Sequence, residues 1–132
     1  MTELRVGIDT RPGWTVLVVR GKILFDTHEP LSRALKEAMA GHQPKIVVDL
    51  HEVTVCDSSG LQLLVDAYRQ VTAAGGAFRL ARARSLVRRV LDITNLTTIL
   101  VVHDSVDAAV SASPGSGSER EPGDRRPGGP SI

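Results

Sequence analysis

Six consecutive residues, Cys56-Asp57-Ser58-Ser59-Gly60-Leu61, hold the side chains of this chain best placed to do chemistry. Upstream lies an apolar, β-branched run, Lys45-Ile46-Val47-Val48-Asp49-Leu50; downstream, Leu61, Leu64, Val65 and Tyr68 repeat at helical spacing. The six residues therefore join a buried strand to an amphipathic helix. Asp57 and Ser58 are good N-cap types, because their oxygens accept from amides the first helical turn leaves unpaired. A helix start carries roughly +0.5 of an elementary charge and suits an anion. A serine here could exchange its hydroxyl for a phosphate without unfolding the protein. An ordinary capped helix with two serines fits the same spacing, which leaves both readings open. Gly60 is predicted to let another molecule approach the backbone.

Other reactive residue types are less organised. Cys56 is the only cysteine, so no internal disulfide and no cysteine-based metal site can form, and it reads as a small buried hydrophobe. His28, His42, His51 and His103 are scattered without metal-ligand spacing, so neither a metal nor a cofactor is expected. Arg79, Arg82, Arg84, Arg88 and Arg89 form a basic run. It reads as a solvated face, with contact to an acidic partner or to phosphate as the sharper alternative. A hydrolase using Ser58 or Ser59 would need a base and an oxyanion hole. No Gly-x-Ser-x-Gly elbow and no well-placed histidine supports one, so the chain is not read as an enzyme.

The positioning elements follow from periodicity. Leu4, Val6 and Ile8 alternate as in a half-buried strand, and residues 14–20 form a second strand after the Pro12-Gly13 turn. Trp14 is expected to pack against the sheet edge, and residues 21–24 could add a short third strand. Asp26-Thr27-His28-Glu29 resembles a capping box, followed by an apolar face of Leu31, Ala34, Leu35, Ala38 and Met39. Residues 45–50 lack alternation, as a central strand covered on both faces does. Residues 51–56 read as a connection, and the helix from Ser58 reaches about Ala73. Residues 77–81 form a strand. Ser85 is expected to cap a helix that carries Leu86, Val87, Val90 and Leu91 inward, residues 99–102 to form a strand, and Asp104 or Ser105 to cap a last helix.

Strands alternating with helices give an α/β fold, a mixed, mostly parallel sheet of four or five strands with about four α-helices. With 132 residues the chain allows one domain, over residues 1–110. Residues 111–132 turn to Gly, Pro and Ser and are predicted to be a disordered tail. Only 3% of residues are aromatic, so the core must be aliphatic; a net charge of +1 argues against a nucleic-acid footprint. No stretch approaches the ~18 apolar residues of a membrane span, and no signal-peptide pattern opens the chain.

Over about residues 4–110 the chain resembles the STAS domain, and more narrowly the bacterial anti-sigma factor antagonists. Ile46-Val47-Val48-Asp49-Leu50 followed by Asp57-Ser58-Ser59-Gly60-Leu61 carries most of the resemblance; Ala74-Gly75-Gly76 and Val87-Arg88-Arg89-Val90-Leu91 add to it. The resemblance implies that an ATP-dependent anti-sigma factor kinase phosphorylates Ser58. It implies that the unphosphorylated form binds this kinase and frees its sigma factor, and that a serine phosphatase reverses the switch. Asp57, Ser58, Ser59 and Gly60 would meet the kinase in the cytoplasm. A homodimer stays open. The family's Gly-Glu-Leu-Asp is replaced by Gly21-Lys22-Ile23-Leu24, with Leu24 where the aspartate is expected, so Asp26 is the candidate to take that role. The alternative function is a STAS-domain interaction or ligand-sensing module in another signalling or lipid-transport complex.

Overall fold

A computed structural model describes residues 4–112. The tail expected from residue 111 lies, from residue 113 on, outside the described residues. Strands β1 (Arg5–Arg11) and β2 (Trp14–Ile23) form the antiparallel hairpin. Helix α1 (Glu29–Met39), strand β3 (Lys45–Cys56), helix α2 (Ser58–Ala73), strand β4 (Ala77–Ala81), helix α3 (Ser85–Ile93), strand β5 (Val102–His103) and helix α4 (Val106–Ser111) follow. The sheet order is β1-β2-β3-β4-β5, parallel at every pair after the hairpin. The mixed, mostly parallel sheet expected from the element order is therefore present.

Strand alternation sends side chains to two unequal sides. Leu17, Val19, Ile46, Val48, Phe78 and Leu80 face a large core closed by Leu31 and Leu35 of α1, Leu64 and Val71 of α2, and Val87 and Leu91 of α3. Val16, Val47 and Ala81 face the other way and form a small cluster with Val106 and Ala109 of the short α4, edged by the half-buried Trp14, Val18 and Val110. That thin side holds the buried polar residues, Asp49 and Arg79.

Two members of the basic run thus have fixed internal partners, Arg79 buried and Arg82 still exposed. Arg79 is buried; its guanidinium stacks 4.8 Å from the Trp14 ring centroid and donates to the carbonyls of Ala109 and, at 3.1 Å, of Ala112. It satisfies acceptors that the end of α4 leaves open. Arg82 grips the buried Asp49 carboxylate with both arms of its fork, Nε to Oδ1 at 3.0 Å and Nη2 to Oδ2 at 2.6 Å.

Several boundaries differ from the sequence reading. Residues 51–56 continue β3: Val53 and Cys56 point in, Glu52 and Thr54 out. β4 ends beside Asp49, so beyond it β3 has a strand only on its β2 side, and its continuous burial gives way to an irregular pattern across the register shifts with β2. Residues 21–23 extend β2 across register shifts, with no separate third strand. The capping box at residues 26–29 does not form. The Thr27 hydroxyl donates to the Lys22 carbonyl and accepts from the Leu24 amide, and His28 takes the N-cap position without a side-chain bond. Arg84, not Ser85, is the N-cap of α3. Residues 96–98 form a 3-10 turn after Asn95, which takes φ 63°, and this leaves β5 two residues long while Leu100 is still buried. Ile8 is exposed, whereas Leu4 is buried; on α3 only Val87 and Leu91 are buried, while Val90 is half-buried and Leu86, expected inward, is exposed.

Arg79→Met keeps the bulk on Trp14 but removes the bonds to α4. It is expected to destabilise the chain by about 2 kcal/mol, given the worth of hydrogen bonds from a charged donor. Urea denaturation of both proteins measures this.

Candidate functional site

The stretch Asp57 to Gly60 sits where β3 hands over to α2, and Asp57 is the N-cap. Its Oδ1 accepts from the Gly60 amide at 3.0 Å and from the Ser59 hydroxyl at 2.7 Å. Its Oδ2 accepts from the Phe25 amide at 3.0 Å, and its own amide donates to the Ile23 carbonyl at 3.0 Å. One residue thereby ties the end of β2 and the following loop to the start of α2. These donors hold the Asp57 carboxyl below its ordinary value, the Ser59 hydroxyl first, against an opposing effect of burial. An ionised, acceptor-only carboxylate is the state all three bonds require.

The two serines are therefore not equivalent. Ser59 is half-buried and spends its proton on Asp57. Ser58 is exposed, and its hydroxyl makes no hydrogen bond among the described residues. It stands in the first turn of a 16-residue helix.

Gly60 has a packing role that its spacing did not reveal. It is buried, and an added Cβ would lie 2.6 Å from Ile23 Cγ2, 2.8 Å from Cys56 Sγ and 3.0 Å from the Ile23 carbonyl oxygen. Ile23 and Cys56 are register partners, so the glycine lets α2 start tightly against the β2–β3 pair. The close approach is internal. Cys56 shares this packing; burial first, and then the Asp57 charge, push its thiol up to about 12. At neutral pH it stays a protonated hydrophobe.

Asp26 lies exposed in the turn closed by the Thr27 amide on the Leu24 carbonyl at 3.0 Å. Through Phe25 this turn hangs on Asp57, so Asp26 belongs to the loop beside α2. Leu24 is half-buried and occupied with Thr27. The sequence reading passed over Phe25, whose ring is 79% exposed. Its signal was an aromatic in a turn of a chain that has few.

The family model described as "Mlab, STAS domain" matches residues 6–102. The chain belongs to the STAS domain family. A Thermotoga neapolitana protein provisionally named an anti-sigma factor antagonist is 36% identical over 66 residues, 50% of this chain. The chain spans 58% of that relative's length. The anti-sigma F factor antagonist of Paenibacillus polymyxa is 24% identical over 104 residues, 78% of this chain and 89% of its own. The crystal structure of an anti-sigma factor antagonist from Mycobacterium paratuberculosis superposes with a TM-score of 0.75 at 26% identity, covering 83% of this chain and 92% of that one. These STAS relatives bear out the fold expected from the resemblance.

Gly60→Ala is expected to cost about 1–3 kcal/mol, as overpacking of a filled site does. Chemical denaturation gives the loss. Partner affinity of the folded fraction is expected to stay near that of the parent.

Proposed function

We propose that this STAS domain is an anti-sigma factor antagonist switched by phosphorylation of Ser58. Unphosphorylated, it binds an ATP-dependent anti-sigma factor kinase, which then releases its sigma factor. Phosphate on Ser58 ends the binding, and a serine phosphatase restores it. The chain acts by binding in the cytoplasm and not by catalysis, without contact to nucleic acid or membrane. Among the described residues no helix is long and apolar enough to cross a membrane.

The observation that carries this reading is the free, exposed hydroxyl of Ser58 beside an Asp57 whose acceptors are already engaged. Phosphorylation adds about −1.5 to −2 charges at neutral pH. The helix start offsets part of this charge, and no internal bond of the Ser58 hydroxyl is lost, so the fold tolerates the group. A partner surface shaped around a neutral hydroxyl would instead have to desolvate a dianion next to an ionised carboxylate, which is costly without a pairing cation.

The surface that meets the kinase comprises Asp57, Ser58, Ser59 and Asp26, with Gly60 acting from beneath as the packing that sets the helix start. Phe25 joins them as an apolar anchor held in place through its own amide. Leu24, at the position of the family's aspartate, is half-buried with its amide on the Thr27 hydroxyl, and the loop exposes Phe25 and Asp26 to the partner instead. An exposed aromatic on a fixed backbone loses little freedom on docking and is a common hot spot.

Titration calorimetry against the host's anti-sigma factor kinases tests the reading. Ser58→Ala is expected to bind like the parent. Ser58→Asp is expected to bind about 5- to 150-fold more weakly, the usual range of a coupling between modification and binding. Phe25→Ala is expected to cost at least about 1 kcal/mol of affinity with stability unchanged. Equal affinity of Ser58→Ala and Ser58→Asp would sink the switch.

A further inference from the structure

The parallel strands end at different heights. β4 stops at Ala81, register partner of Asp49, while β3 runs on to Cys56. Beside this step lies a cavity of about 410 Å³ lined by His51 of β3, Arg82 and Arg84 of the following loop, Arg88 of α3, and His103 and Asp104 after β5. Its volume falls in the range of small-ligand sites, at the carboxyl ends of parallel strands, where α/β sheets offer a crevice. It is separate from the Ser58 surface: Cys56 is five residues beyond His51 along β3, roughly 16 Å at the rise of a β-strand.

The lining is chemically one-sided. It brings three guanidinium groups together with two imidazoles and one carboxylate. Arg82 is committed to Asp49 and takes φ 58°, a conformation uncommon for a residue with a side chain. That pairing fixes the loop that carries Arg84. Neither Arg84 nor Arg88 has an ion-pair partner among the described residues. Both therefore have donors to give, from a loop and from a helix one turn apart. The first turn of α3 opens into the same cavity at Ser85, and no side chain caps it. Planar guanidinium forks recognise phosphate oxygens in pairs, and free helix amides add to them.

We propose that this cavity binds a small phosphomonoester, its phosphate held by Arg84 and Arg88 at the start of α3. Asp104 narrows the class. Its carboxylate repels a bare polyanion but accepts from a hydroxyl, so the ligand carries hydroxyl groups beside its phosphate. A space of about 410 Å³ takes a molecule of that size. The site requires neither Ser58 nor its modification.

The test is a titration of the full chain, labelled with 15N, by ribose 5-phosphate and separately by inorganic phosphate. Saturable shifts of the Ser85, Leu86 and Val87 amides with ribose 5-phosphate are expected, with weaker binding of inorganic phosphate. The double variant Arg84→Gln/Arg88→Gln should weaken binding by about tenfold or more, the loss of at least one charge-assisted contact. Both positions are at the surface, and a thermal melt verifies that the variant is folded. Absence of saturable shifts with ribose 5-phosphate, or equal affinity in parent and double variant, overturns the proposal.

Discussion

The Asp57 carboxylate is the interaction on which the functional end of this molecule depends. Three donors from two segments, the Phe25 amide from one and the Gly60 amide and Ser59 hydroxyl from the other, converge on its two oxygens. Each alone is a local hydrogen bond of modest net worth. Together they decide which serine is free, where the loop after β2 lies, and how α2 begins. The glycine beneath them serves the same end, because a side chain there would push α2 away from Ile23 and Cys56.

The sheet imposes a second constraint. Its helix-covered side takes most of the aliphatic core, and its other side has only α4, six residues long, to cover it. The burial there is completed by charged groups with fixed partners: Arg79 between Trp14 and the end of α4, and Asp49 in the fork of Arg82. A buried charge is costly without partners; Asp49 has an ion pair with Arg82, and Arg79 has carbonyls of α4 and the Trp14 ring. The Asp49–Arg82 pair also shapes the loop at the step between β3 and β4, so one feature links the thin side of the sheet to the cavity above it.

What could be read from the sequence was what is local. The Asp57 cap was legible because capping chemistry lies within four residues, and the helices were legible because their apolar stripes repeat. The mixed, mostly parallel sheet followed from alternation of elements. What escaped depends on contacts distant in the chain. Residues 51–56 looked like a connection because their pattern changes where β4 ends, and the end of β4 is not visible from β3. The capping box over residues 26–29 did not form because Thr27, tied to the end of β2, holds residues 24–27 in a turn and His28 becomes the N-cap. Arg79 looked like one of five surface arginines until Trp14 and α4 closed around it. Gly60 was assigned to a partner's approach, while its close neighbour is Ile23, far upstream. The free state of Ser58, the key to the site, is set by what Ser59 does with its proton, which spacing alone leaves open.

That difference between two adjacent serines is the central claim, and site mapping tests it most directly. The full chain and its Ser58→Ala and Ser59→Ala variants would be incubated with ATP and the host's anti-sigma factor kinases, then fragmented by tandem mass spectrometry. Phosphate on Ser58 in the parent and in Ser59→Ala, with none in Ser58→Ala, is the expected result. Phosphate on Ser59 in the parent would contradict the account.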